Sequence, residues 1–84
     1  MTISKSHLQF LFGQHVKQIR VSKGLTQVEV SSRMNKDQQS LQRIESGRVS
    51  PNIYYLHLLS SALDITLCEL VDFEIKKEKK KRAK

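Results

Sequence analysis

Three polar side chains, Gln38, Gln39 and Arg43, have the chemistry and spacing to read the edges of nucleic-acid bases. A glutamine amide donates and accepts at once, which matches the N7 acceptor and N6 donor of adenine in the major groove of DNA. On a helix, Arg43 would lie on a face near both glutamines, where its guanidinium could contact guanine through two hydrogen bonds. A single exposed glutamine most often has no specific role, but the adjacent pair Gln38 and Gln39 favours base contact. Gln42 would point more to the side and is a weaker candidate.

Catalytic and metal-binding chemistry finds little support in the sequence. His7, His15 and His57 are too scattered for a metal triad, and the lone Cys68 excludes an intrachain disulfide and the usual Cys/His zinc site. The sequence contains no glycine-rich phosphate-binding loop and no motif that would present a serine as a nucleophile. The sequence therefore predicts no metal, no cofactor and no enzymatic activity.

The charge is concentrated at one end of the chain. The 84 residues carry a formal net charge of +7, and length alone indicates a single domain. Residues 1–75 are nearly balanced, with eight Lys/Arg and seven Asp/Glu, whereas residues 76–84 hold seven basic residues and one glutamate. We expect a domain over 1–75 and a basic, flexible tail over 76–84. The tail could serve solubility or add salt-dependent affinity for phosphate backbone.

Five segments have the periodicity of amphipathic helices, and no segment alternates as a strand would. Each predicted helix is preceded by a residue suited to capping its N-terminus: Ser6, Thr26, Asp37, Asn52 and Thr66. Three of these are followed three residues later by glutamine or glutamate, the spacing of a capping box. Gly24, Asn35 and Gly47 are placed to end helices, because they tolerate left-handed backbone angles. The chain is thus predicted to be all-α.

Apolar residues at helical spacing define a predicted core. It consists of Leu8, Phe12, Val16, Ile19, Leu41, Ile44, Ile53, Leu56, Leu59, Leu63, Leu67, Leu70 and Val71. Gly13 interrupts the first helix, since glycine is a poor helix former. The second and third predicted helices are short and joined by a three-residue turn. Such a pair is typical of proteins that place one helix in a DNA groove.

A series of short motifs runs from residue 24 to residue 63, and the family resemblance that they carry covers roughly residues 12–71. In order they are Gly24-Leu25-Thr26-Gln27, Glu29-Val30-Ser31, Asn35, Gln38-Gln39-Ser40-Leu41, Ile44-Glu45-Ser46-Gly47, Pro51 and Ala62-Leu63. Together they resemble the lambda-repressor-like (XRE/Cro/C1-type) helix-turn-helix family. Gln38-Gln39-Ser40 looks like the start of the recognition helix of lambdoid phage repressors. The sequence departs from the family at Ser31, Asn35 and Lys36, where the family often has alanine, glycine and an apolar residue.

The resemblance implies a compact five-helix DNA-binding domain with its helix-turn-helix at about residues 26–46. It also implies a transcriptional regulator that binds a double-stranded DNA operator with its third helix in the major groove, where the chemistry of Gln38, Gln39 and Arg43 predicts base contacts. A homodimer is expected, because one recognition helix covers only a few base pairs. Such a protein would work in the cytoplasm, at the nucleoid when bound to DNA. An antitoxin-type or adaptor module on the same fold, with a toxin or RNA polymerase as protein partner, is the alternative.

Other polar residues have predicted supporting roles. Gln27, at the start of the second helix, is the leading candidate for a phosphate contact. The remaining phosphate candidates are Ser40, Ser46 and Arg48 from the resemblance, and Lys36 and Asn52 from this sequence. In the family, the pair that matches Arg20 and Glu45 forms an ion pair that braces the first helix against the recognition helix.

Surplus apolar residues near the C-terminus suggest an interface between copies of the chain. Leu58 lies off the inward face of the fourth helix, and Phe73 and Ile75 lie beyond the fifth. These three could form a dimer face, or pack against Phe10 of the same chain. The longest nearly apolar stretch, residues 53–59, is far shorter than a membrane span, and no secretory signal is expected.

Overall fold

Five α-helices form the part of the chain that this computed structural model describes, residues 3–75. They are α1 (Lys5–Ser22), α2 (Gln27–Met34), α3 (Gln38–Glu45), α4 (Ile53–Ala62) and α5 (Leu67–Leu70). Residues 46–52 connect α3 to α4 and are called the α3–α4 loop below. Because no strand occurs within residues 3–75, the predicted all-α, five-helix fold is confirmed. The predicted basic tail lies outside the described residues.

Side-chain caps fix where the helices begin. Two of the three predicted capping boxes are confirmed: Thr26 with Glu29 at the start of α2, and Thr66 with Glu69 at the start of α5. The third predicted box is wrong, because α1 begins earlier and its N-cap is Ser4, whose hydroxyl accepts from the His7 N–H at 3.1 Å. The remaining features are confirmed: Asp37 and Asn52 cap α3 and α4, and Asn35 ends α2 with a left-handed φ of 59°.

The core lies where all five helices meet. Its buried apolar residues are Phe12, Val16, Val30, Met34, Leu41, Ile44, Leu59, Ala62, Leu63 and Leu70. Four predicted core residues are exposed instead: Leu8, Ile53, Leu67 and Val71. Ile53, at 69% exposed, is the first residue of α4, and its Cβ is tilted back past the start of the helix. The single turn of α5 directs only Leu70 into the core.

Two glycines allow the backbone of α1 to touch the C-terminal end of α3. A Cβ at Gly13 would lie 2.7 Å from the Glu45 carbonyl oxygen and closer still to that of Ile44. Gly47 has a φ of 77°, and a Cβ added to it would lie 2.9 Å from the Phe10 Cα. Gly13, which is unfavourable in a helix by propensity alone, therefore lies where the α1 backbone is in close contact with the end of α3.

Candidate nucleic-acid interface

The two faces of α3 have opposite characters. Leu41 and Ile44 are buried against the rest of the domain. The polar residues Gln38, Gln39, Gln42 and Arg43 are all exposed, so the three predicted base-contacting residues share the solvent-facing side of one helix. An eight-residue helix of this kind is suited to the major groove, which admits an α-helix.

Arg20 and Glu45 form a bidentate ion pair between α1 and the last residue of α3. Arg20 Nε lies 2.7 Å from Glu45 Oε2, and Arg20 Nη2 lies 3.0 Å from Glu45 Oε1. Arg20 Nη1 also donates to the Leu25 carbonyl at 2.8 Å. Because the two side chains are only 11% and 4% exposed, the pair is a structural link and is not offered to a ligand.

The amide of Gln27 extends this ion pair toward the exposed face of α3. Its Nε2 donates to Glu45 Oε1 at 3.0 Å, and its Oε1 accepts from Gln38 Nε2 at 3.3 Å. Sequence reasoning assigned Gln27 to phosphate and missed these contacts with Glu45 and Gln38. The second N–H of its Nε2 remains as a donor that could still reach a phosphate, so that assignment stays a prediction.

The N-terminus of α3 is held by hydroxyl and carboxylate groups. Asp37 Oδ1 accepts from the Ser40 backbone N–H at 3.1 Å, so its charge is engaged as a cap. The Ser40 hydroxyl donates to the Asp37 carbonyl at 3.0 Å and lies 3.1 Å from the Tyr55 hydroxyl of α4. Burial raises the pKa of Tyr55, while the bond with Ser40 opposes that rise. Ser40 thus ties α3 to α4, besides its predicted phosphate role.

The other predicted phosphate contacts flank α3. Lys36, Arg48 and Asn52 are exposed, and Asn52 uses its Oδ1 as the cap of α4, which leaves its amide N–H groups as donors. The hydroxyl of Ser46 is also exposed but donates back to the Gln42 carbonyl at 2.8 Å. Among the exposed residues of 36–48, Lys36, Arg43 and Arg48 are basic and Asp37 alone is acidic, while Glu45 is buried in its pair with Arg20, so the net exposed charge is positive.

The predicted dimer residues differ in exposure. Leu58 and Phe73 are partly buried against the core, and Ile75 is 57% exposed. The Phe73 ring lies 6.0 Å from Phe12 and 5.3 Å from His15, measured between ring centroids. Phe73 therefore packs within its own chain on Phe12, whereas Phe10 remains largely exposed. An open, mostly apolar groove of about 360 Å³ lies beside it, lined by Leu8, Phe12, Pro51, Leu56, Val71, Phe73 and Ile75, with the polar residues Lys5, Gln9 and Ser50 also in its wall.

Membrane and metal chemistry are not indicated within residues 3–75. No helix in this range is both long and apolar enough to cross a bilayer. No three histidine, cysteine, aspartate or glutamate residues of the same range come together as metal ligands would.

A helix pair with an exposed polar second helix, braced by a third, defines a helix-turn-helix protein. Residues 16–70 match the family model HTH_3, described as helix-turn-helix, and the chain belongs to that family. The resemblance to XRE-type regulators is thereby confirmed, and the chain is a helix-turn-helix transcriptional regulator.

Relatives with this fold are regulators. An uncharacterized HTH-type transcriptional regulator, y4dJ of Sinorhizobium fredii, is 41% identical over 61 residues, covering 73% of this chain and 79% of the relative. The restriction-modification controller protein C.AhdI of Aeromonas hydrophila superposes with a TM-score of 0.72 at 29% identity, over 74% of this chain and 94% of that protein. The controller C.Esp1396I, a tetramer in complex with its 35-base-pair operator, gives 0.67 at 25% identity, over 77% and 96%.

Proposed function

We propose that this chain regulates transcription by binding a specific operator in double-stranded DNA, with α3 in the major groove. The observation that carries the proposal is the exposed polar face of α3. Gln38 and Gln39 lie at its N-terminal end and Arg43 one turn further on, while the opposite face is anchored in the core. Glutamine and arginine are the residues that pair with adenine and guanine edges.

Contacts to the phosphates would set the position of α3 in the groove. The candidates are Gln27, Lys36, Ser40, Ser46, Arg48 and Asn52. They belong to α2, to α3 and to the loops that flank α3. Such contacts fix register without choosing sequence, so the loss of any one should weaken binding to all duplexes similarly.

A homodimer is part of the proposal, because one recognition helix covers too few base pairs for useful specificity. Two copies of α3 would read half-sites about 34–36 Å apart. The similar controller C.Esp1396I, a tetramer on its operator, supports an oligomeric binding mode. Leu58, Phe73 and Ile75 are the proposed face between the two copies, and Phe73 and Ile75 line the apolar groove.

Footprinting on the DNA upstream of the chain's own gene tests the whole proposal. We expect two protected half-sites related by a dyad, and a variant carrying both Gln38→Ala and Gln39→Ala should lose the protection. A variant with Gln42→Ala is the matched control, since Gln42 is exposed on the same helix but is a weaker candidate for base contact. Equal affinity of the parent chain for cognate and scrambled duplexes would refute the proposal.

A further inference from the structure

One side chain of α1 holds both ends of the segment that carries Arg48. Gln9 Nε2 donates to the Gly47 carbonyl at 3.0 Å, and Gln9 Oε1 accepts from the Ser50 hydroxyl at 2.7 Å. Gln9 is partly buried and lies 38 and 41 residues from these two partners in the sequence. Arg48 and Val49 are the only residues between the two anchored positions.

The polarity of the Gln9 amide makes the clamp directional. A flipped amide would set its oxygen against the Gly47 carbonyl, so the observed orientation satisfies both partners and the reverse orientation does not. The α3–α4 loop is also in backbone contact with α1 here, since a Cβ on Gly47 would lie 2.9 Å from the Phe10 Cα. The Arg48 N–H in turn donates to the Arg43 carbonyl at 2.9 Å, which joins the clamped segment to the end of α3.

We infer that Gln9 is a positioning residue for the phosphate contact of Arg48, through its hold on the α3–α4 loop. The inference rests on the proposed function, in which Arg48 meets the DNA backbone while α3 reads the bases. A loop that is ordered before binding loses less conformational entropy on the DNA than one that must be ordered there. Gln9 itself lies on α1 and contacts the loop, so its effect on DNA would be transmitted through Arg48.

A double-mutant cycle between Gln9→Ala and Arg48→Ala tests the coupling. Duplex affinity is measured over a range of salt concentrations, below the melting temperature of every variant. Arg48→Ala should reduce the slope of log affinity against log salt by about one. Gln9→Ala should weaken binding to cognate and scrambled duplexes alike by about 3- to 10-fold. It should also produce most of the reduction in salt slope that is expected for Arg48→Ala. In the Arg48→Ala background, Gln9→Ala should then have little further effect.

Gln14→Ala is the matched control, because Gln14 is an exposed glutamine of the same helix, away from the loop. It should leave both affinity and salt slope at the parent values. Ser50→Ala removes only half of the clamp and should give an intermediate effect, which keeps the test open if Gln9→Ala folds poorly. Independent, multiplicative losses from the two main variants, or a parent-like salt slope in Gln9→Ala and Ser50→Ala, would overturn the inference.

Hydrogen exchange of the free protein supplies a readout that does not depend on DNA. The Arg48 amide should exchange faster in Gln9→Ala than in the parent or in Gln14→Ala, and unchanged exchange would contradict the clamp. Because phosphate contacts are independent of sequence, the cycle can also be measured on scrambled duplex. A parent that cannot distinguish its operator would therefore count against the proposed function alone, and an uncoupled cycle against the role of Gln9.

Discussion

Gln27 Oε1 accepts a hydrogen bond from Gln38 Nε2 at 3.3 Å, across the turn that joins α2 to α3. The same Gln27 amide donates to Glu45, so a buried carboxylate determines which end of the Gln27 amide faces Gln38. Gln38 keeps a second N–H and its Oε1 for contact outside the protein. These are the donor and the acceptor that would match adenine, so under the proposed function the network would orient Gln38 before DNA binds.

Substitution of Glu45 by alanine should lower stability and DNA binding together. The change leaves the Arg20 guanidinium without its carboxylate in a largely buried place and removes the acceptor for Gln27. Loss of one partner of a buried pair commonly costs about 3–5 kcal/mol in the free energy of unfolding. Chemical and thermal denaturation of the parent, Glu45→Ala and Arg20→Ala measure this cost. Equal melting temperatures of Glu45→Ala and the parent would show that the pair has no bracing role.

Gln38→Ala should weaken operator binding by about 1–3 kcal/mol while leaving the melting temperature nearly unchanged. The residue is exposed, and its one side-chain bond within the described residues is the 3.3 Å contact with Gln27. Titrations with cognate and scrambled duplexes separate base reading from general affinity, with Gln42→Ala as the control. A parallel loss on both duplexes would assign Gln38 to the backbone and not to a base.

Gly13→Ala should destabilise the domain more than Gly24→Ala. At Gly13 the new methyl would meet the Ile44 and Glu45 carbonyls, which belong to the backbone and cannot rotate aside, so we expect a loss of about 3 kcal/mol. Gly24 has a φ of 72° but open space within 4 Å, so only backbone strain of about 1–2 kcal/mol applies. Urea unfolding of both variants compares the costs. A stable Gly13→Ala variant, gaining from helix propensity alone, would contradict the close approach of α1 and α3.

The capping box of α2 should make part of the stability sensitive to acid. Hydrogen bonds from the backbone and the hydroxyl of Thr26 lower the pKa of Glu29. A lowered folded-state pKa means that the ionised carboxylate stabilises the fold above its ordinary pKa of about 4.3, and that this is lost as pH falls through the lower folded value. Thermal melts between neutral pH and about pH 3 should show a smaller acid loss in Glu29→Gln than in the parent. Identical acid profiles would exclude this contribution.

Local signals in the sequence were sufficient for most helix boundaries. The side chains of Thr26, Asp37 and Asn52 each accept a hydrogen bond from the backbone N–H three residues further on, so their roles follow from spacing alone. The start of α1 was mispredicted because Ser4 and Ser6 are both plausible caps, and the Gln9 amide that matched a box for Ser6 is engaged with Gly47 and Ser50.

The hydrogen bonds within the site could not be predicted from spacing, because they join residues that are far apart along the chain. The exposed face of α3 was visible in the spacing of Gln38, Gln39 and Arg43. The hydrogen bonds of Gln27 were not, because Glu45 lies 18 residues away and glutamine at a helix start is equally suited to phosphate. No pattern in the sequence relates Gln9 to a loop about 40 residues further on, since such a pairing arises only when α1 packs against the end of α3.

The backbone contacts at Gly13 and Gly47 give the domain a property that bears on how such regulators diverge. α3 is positioned from behind, by main-chain contacts at Gly13 and Gly47 and by the Arg20–Glu45 pair, and the exposed side chains of Gln39 and Arg43 take no part in these contacts. The side chains of Gln39 and Arg43 can therefore be exchanged without altering the contacts that hold α3 in place. If α3 reads DNA as proposed, a few substitutions on this one surface of a duplicated copy would be enough to change the sequence that it binds.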